Sequence, residues 1–184
     1  MTSLILASRS PQRRAILEQL GIPFEVRPAD VEEVEQGPPE EIAVENARRK
    51  AEAVASPGDA LVLGVDTVVA LDDQLYGKPS SPEEARATLS ALSVRRHQVI
   101  GGLCVVGDGR RQAASASTVV EFRTLDDDLI DWYLAIGEWR DRAGGYAIQG
   151  RGAALVERIE GDYFNVVGLP VARLLALQPG LLRR

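Results

Sequence analysis

The sequence predicts a mixed α/β fold, a sheet with flanking helices arranged as two lobes around a central cleft. Three observations carry this expectation. Early in the chain, short β-prone runs alternate with segments whose apolar residues recur at helical spacing. Later, long alternating runs are joined by hairpin signals, which makes the sheet mixed rather than purely parallel. No linker, repeat or low-complexity tract divides the 184 residues, so 1–184 reads as one domain.

Leu4-Ile5-Leu6-Ala7 is a short apolar run ending in Ser8-Arg9-Ser10-Pro11, after which Ile16, Leu17 and Leu20 follow at helical spacing before Gly21-Ile22-Pro23. That order spells strand, loop, helix, stop. Ser10 before Pro11 fits an N-cap with proline at the first helical position, which leaves helix N-terminal N–H groups facing the loop, where an anion is the natural occupant. Phe24–Val26 is a second strand, and the acidic stretch 30–35 lacks an apolar stripe and reads as loop. Over 39–55, Ile42, Val44, Ala47, Ala51 and Val54 mark an amphipathic helix closed by Ser56-Pro57-Gly58. Residues 61–65 and 67–71 are two β-prone runs with Asp66 between them, and Asp72-Asp73-Gln74 turns the chain back through Leu75-Tyr76. Ser81-Pro82 opens a helix to about residue 92 in the same serine–proline manner. Residues 98–106 and 112–123 are the long alternating runs, joined by Gly107-Asp108-Gly109. A helix over 126–136 carries Leu129, Ile130, Tyr133 and Leu134 on its apolar side. The remainder reads as strand 153–159, strand 163–167 and helix 170–177, with Gly161-Asp162 as a turn.

Composition excludes several kinds of function. One cysteine, Cys104, and one histidine, His97, cannot build a disulfide framework, a zinc finger or a metal site needing paired histidines. Lys+Arg 21 against Asp+Glu 27 gives a net charge of -6, which disfavours nucleic acid and anionic membrane as partners. A polyanionic ligand must then be small and locally received, with a divalent cation as mediator. No apolar stretch approaches the ~20 residues of a membrane span, and the N-terminus lacks a basic signal region, so we expect a cytoplasmic protein.

Chemistry therefore falls to carboxylates, lysines, arginines and hydroxyls. Asp66 stands among residues that favour burial, so it is either a satisfied turn or bulge aspartate or a carboxylate at a strand's end, where sheet proteins place ligands. A metal ion or a lysine would balance its charge. Lys78, in Gly77-Lys78-Pro79, follows a hairpin that can return it to Asp66, and Lys50 ends the run Arg48-Arg49-Lys50; each also reads as an ordinary solvated lysine. The loop Ser8-Arg9-Ser10-Pro11-Gln12-Arg13-Arg14 joins hydroxyls, a helix N-terminus and arginines, features that bind phosphate, yet it lacks the glycines of a Walker loop. Asp30, Glu32 and Glu33 either hold Mg²⁺ with Asp66 or form a solvated acidic loop. Cys104 and His97 read as packing residues, which argues against a Ser-His-Asp hydrolase, and Trp132, Tyr133 and Trp139 read as core or lobe-packing aromatics.

Five collinear blocks add a resemblance. Residues 4–14, Gly64-Val65-Asp66-Thr67-Val68-Val69, Gly77-Lys78-Pro79, residues 141–150 and residues 160–170 together resemble the Maf family of nucleoside triphosphate pyrophosphatases. The resemblance implies a fold like that of the inosine triphosphate pyrophosphatases, a homodimer, Mg²⁺ or Mn²⁺ dependence, and hydrolysis of a nucleoside triphosphate to the monophosphate and pyrophosphate. It implies that Asp66 is the catalytic base, that Ser8, Arg13, Lys50 and Lys78 bind the substrate's phosphates, and that Glu33 lies with Asp66 near the metal. In this reaction water attacks the α-phosphorus, Asp66 takes its proton, and Lys50, Lys78, Arg13 and the cation neutralise the phosphates. Thr67 and Gln149 resemble the branch acting on dTTP and UTP, and an amide at 149 both donates and accepts, as a uracil or thymine edge requires. Gln12 departs, standing where that branch has arginine, and Arg142 and Ala147 replace a lysine and a glycine. Modified pyrimidine nucleotides stay open as substrates. The alternatives are a member preferring 7-methyl-GTP, and a nucleotide-binding regulator of septum formation and cell division with little turnover.

Overall fold

The computed structural model describes residues 4–56, 58, 61–107 and 109–182. Pro57 and Asp108, expected in a helix stop and a hairpin turn, lie outside them. Seven strands, β1 (Leu4–Leu6), β2 (Phe24–Val26), β3 (Leu61–Leu71), β4 (Gln74–Tyr76), β5 (Arg96–Gly107), β6 (Arg110–Phe122) and β7 (Val156–Glu160), form one mixed sheet. Its order is β2-β1-β3-β5-β6-β7, with β4 attached to β3. The β1 pairings to β2 and β3 are parallel, and the remaining pairings are antiparallel.

Strand β3 is the axis of the molecule. On one side it pairs continuously with β5, from Val62↔Val106 to Ala70↔Gln98. On the other, Leu61–Leu63 pair with β1 and Val69–Leu71 with β4, which leaves residues 64–68 without a strand neighbour there. Asp66 sits in that gap, opposite Gly102 of β5. It is neither at a turn nor at a strand's end, as the sequence suggested, because the two β-prone runs flanking it are one strand that outlasts β1.

The helices are α1 (Pro11–Gln19), α2 (Pro39–Val54), α3 (Pro82–Leu92), α4 (Asp127–Ile136), α5 (Tyr163–Val167) and α6 (Val171–Leu177). Side chains of Ser10, Ser81 and Asp126 cap three of them by accepting from Arg13, Glu84 and Leu129 backbone N–H groups. The segment 163–167 is helical, not a strand: the Asp162 carboxylate accepts from the Phe164 and Asn165 N–H groups, and this cap outweighs the β-prone composition. Similarly, Arg151–Leu155 forms a 3₁₀ turn, so only Val156–Glu160 of the expected strand 153–159 is extended.

Two glycines set the distance between α2 and the sheet. A Cβ at Gly64 would lie 2.0 Å from the Ala47 carbonyl oxygen, and one at Gly102 would lie 2.1 Å from that of Ala43. The helix backbone therefore rests directly on β3 and β5. Leu4, Leu6, Ile16, Leu63, Leu103 and Leu174 make one apolar cluster, and Leu89, Phe122, Tyr133, Trp139, Tyr146 and Leu155 another. Tyr133 and Trp139 are core residues, whereas Trp132 is 44% exposed. Among the described residues no helix is long and apolar enough to cross a membrane.

Candidate active site

The end of β1 and the start of α1 place Ser8, Gln12 and Arg13 on one side of a cavity of about 600 Å³. Strand β3 supplies Asp66 and Thr67, α2 supplies Lys50, and the loop between β2 and α2 supplies Glu33. Lys78 and Gln149 complete it. All nine residues that the resemblance singled out thus line one space. Asp30 also lines it, whereas Glu32 does not; the Glu32 carbonyl accepts from Arg49 Nη1.

A carboxylate network occupies the centre. The Lys50 Nζ lies 2.7 Å from Asp66 Oδ1 and 2.6 Å from Glu33 Oε1, so one ammonium bridges two acids. Burial pushes the Glu33 carboxyl up, but the Lys50 hydrogen bond and charge, with Lys78 and Arg13, more than reverse this and hold it below its ordinary value. The ammonium in contact with Asp66 is that of Lys50, while Lys78 is exposed and its charge reaches Glu33.

Asn46, which the sequence reading missed, fixes the other Asp66 oxygen. Its Nδ2 donates to Asp66 Oδ2 at 3.2 Å and to the Val34 carbonyl at 3.0 Å, while its Oδ1 accepts from the Val34 N–H at 2.7 Å. Asn46 is 2% exposed. The signal was available as an asparagine in a helix interior, four residues before Lys50 and on the same face.

Arg13 organises the phosphate-type loop. Its Nη1 donates to Ser8 Oγ at 2.9 Å, its Nη2 to Thr67 Oγ1 at 3.1 Å and its Nε to the Gly168 carbonyl at 2.9 Å. Burial lowers its guanidinium from the ordinary value, with the charges of Asp66 and Glu33 acting the other way. Ser8 Oγ also accepts from the Ser10 N–H, so its own proton remains for a ligand. Gln12 Oε1 accepts from Ser10 Oγ, and among the described residues its amide protons have no acceptor.

Among the described residues no group of three or more His, Cys, Asp or Glu stands ready to hold a metal. Two carboxylates do converge, however, and Mg²⁺ or Mn²⁺ commonly takes one or two carboxylates with water and substrate phosphate oxygens. The donor set fits a cation that arrives with a polyphosphate.

The profile of the family described as "Maf: Maf-like protein" matches residues 3–179. The protein named dTTP/UTP pyrophosphatase from Pyrococcus furiosus is 45% identical over 181 residues, covering 96% of this chain and 94% of its own. That of Thermococcus gammatolerans is 49% identical over 168 residues, covering 91% of each, and that of Symbiobacterium thermophilum 46% identical over 181 residues, covering 96% and 93%. The solved Staphylococcus aureus Ham1 protein matches with a TM-score of 0.48 at 19% identity, over 65% of this chain and 71% of that one.

Proposed function

The chain belongs to the Maf family, and we propose that it is a nucleoside triphosphate pyrophosphatase that cleaves dTTP and UTP to the monophosphate and pyrophosphate. The observation that carries the chemistry is the Asp66 carboxylate, buried in the cavity with Oδ1 on Lys50 and Oδ2 on Asn46. Held at both oxygens, it is oriented before substrate arrives. Water attacks the α-phosphorus, Asp66 accepts its proton, and the bond from the α-phosphorus to the bridging oxygen breaks as pyrophosphate leaves with the electron pair. Lys50 and Lys78 supply positive charge, Ser8 a hydroxyl donor, and Arg13 fixes Ser8 and Thr67 while adding its own charge. Glu33 and Asp66 would hold Mg²⁺ or Mn²⁺, which when bound neutralises charge on the phosphate oxygens.

Base choice rests on Thr67 and Gln149 and on the names of the relatives. Gln12 presents a neutral amide where the resembling branch has arginine, so modified pyrimidine nucleotides belong in the substrate screen. A house-cleaning role in the cytoplasm and a homodimer are part of the same reading, supported by the family resemblance; light scattering on the purified protein tests the latter.

The test is pyrophosphate release from canonical and modified nucleoside triphosphates with Mg²⁺ or Mn²⁺, with Asp66→Asn alongside. We expect release from dTTP and UTP, reduced about a hundredfold or more in the variant. Binding without release from any nucleotide would move the protein to the regulator class, and an undiminished Asp66→Asn rate would remove Asp66 from the mechanism.

A further inference from the structure

Two of the three arginines that line the cavity are in opposite states. Arg13 spends three of its five N–H groups on Gly168, Ser8 and Thr67. Arg142 also lines the cavity, yet among the described residues its side chain makes no hydrogen bond or ion pair, and its Nε is buried without a partner. Buried N–H groups are nearly always satisfied, and the half-buried Arg142 side chain carries one that is not. An unpartnered cationic donor on a cavity wall is suited to an anionic group of a ligand.

The backbone around Arg142 is built to hold that position. Asp141 adopts φ 60, a conformation a residue with a Cβ rarely takes, and Gly144 and Gly145 follow with φ 70 and 69. The Gly144 N–H donates to the Gly77 carbonyl at 3.0 Å, which fastens this loop to the one carrying Lys78. Gly145 is packed so that a Cβ would come within 3.1 Å of the Pro79 ring. Arg142 and Lys78 are thus delivered together, from loops that do not belong to the Asp66–Lys50–Glu33 network.

We propose that Arg142 receives the two terminal phosphates of the substrate, the part that leaves as pyrophosphate, through its guanidinium fork. The bases of dTTP and UTP are neutral and would leave the charge of Arg142 unbalanced, whereas phosphate oxygens balance it and match the fork in pairs. Gln149, a neutral amide seven residues further on, suits the base edge instead. The inference deepens the pyrophosphatase reading and rests on it.

Wild type, Arg142→Lys and Arg142→Ala are compared by calorimetric titration with inorganic pyrophosphate, by KM and kcat for dTTP, UTP and dCTP, and by thermal midpoint. In Arg142→Ala, pyrophosphate affinity falls about ten- to a hundredfold and KM rises by a similar factor for every nucleotide, as expected for a lost charge-assisted bond. Arg142→Lys recovers part of the loss, because it keeps the charge without the fork. Unchanged pyrophosphate affinity with altered discrimination between dTTP and dCTP would place Arg142 on the base and overturn the proposal. So would a lowered thermal midpoint with pyrophosphate affinity intact, or a wild type that does not bind pyrophosphate. Failure of the pyrophosphatase reading shows separately, as a wild type that binds pyrophosphate but releases none from any nucleotide.

Discussion

The two walls of the cavity differ in how far they are completed by the protein alone. On the wall made by the Ser8 loop, α2 and β3, polar groups satisfy one another: Asp66 is held by Lys50 and Asn46, Glu33 by Lys50, and Ser8 and Thr67 by Arg13. On the wall made by residues 141–149, the side chains of Arg142 and Gln149 make no hydrogen bond among the described residues, and the Tyr146 hydroxyl is hydrogen-bonded with His97 Nε2 at 2.9 Å. The difference separates two tasks. In the proposed reaction, groups that would meet the reacting atoms are oriented in advance, where reorganisation would slow it, whereas groups that would receive the rest of the substrate are left for it to complete.

The strongest way to break the finished wall is to lift α2 from the sheet. In Gly64→Ala the new methyl would meet the Ala47 carbonyl and the Ala51 N–H, at 2.0 and 2.7 Å, and neither backbone group can yield cheaply. We expect a loss of about 4 kcal/mol or more, read as the urea midpoint, and a folded remainder with little activity because Asn46 and Lys50 move with the helix. Gly180→Ala, with nothing within 4 Å, is the matched control and stays within error of wild type. Equal stability of the two variants would mean that the helix seats itself by other contacts.

The other wall is sharpened by acid. Burial pulls the His97 imidazole from 6.5 down to about 4, so the folded protein keeps it neutral while the unfolded chain protonates it near 6.5. Between those values the unfolded state binds more protons, and stability falls as pH drops from about 6.5, levelling off below about 4 after a loss on the order of 3 kcal/mol. His97→Gln removes this contribution. Its stability difference between pH 7 and pH 4.5 should be smaller than that of wild type, and equal differences would show that His97 titrates alike in both states.

The smallest effect is expected from Asn46→Ala, which leaves Asp66 Oδ2 without its donor and the Val34 N–H and carbonyl without their partner. A fall in kcat of about tenfold, with pyrophosphate affinity unchanged, identifies Asn46 as a positioning residue. A lowered thermal midpoint with kcat intact would reduce it to a tether for the acidic loop.

Local chemistry was the legible part of this protein. Ser10-Pro11 and Ser81-Pro82 announced two helix starts at the right residues, because a cap acts over three or four positions. The nine candidate site residues were singled out by residue type and by the resemblance, and they line one cavity. What eluded the sequence depends on packing across distance. Asn46 reaches Asp66, twenty residues on, only because Gly64 and Gly102 let α2 touch the sheet. The continuity of β3 through Asp66 is set by β5, which pairs with the strand from Val62 to Ala70. Residues 163–167 read as a strand because β-prone composition concealed the Asp162 cap.

The gap in the sheet along residues 64–68 has a further consequence. A stretch of strand with no neighbour is ordinarily a hazard, since its backbone groups can template the pairing of a second chain, and proteins usually blunt such edges with charge, proline or a covering helix. Here the open stretch faces inward: Val65 is fully buried, Asp66 is 7% exposed, and Asp66 and Thr67 border the cavity. An incoming β-strand cannot lie down beside it, while a small molecule entering the cavity can. The fold thus keeps an unpaired strand margin for chemistry without offering it to aggregation.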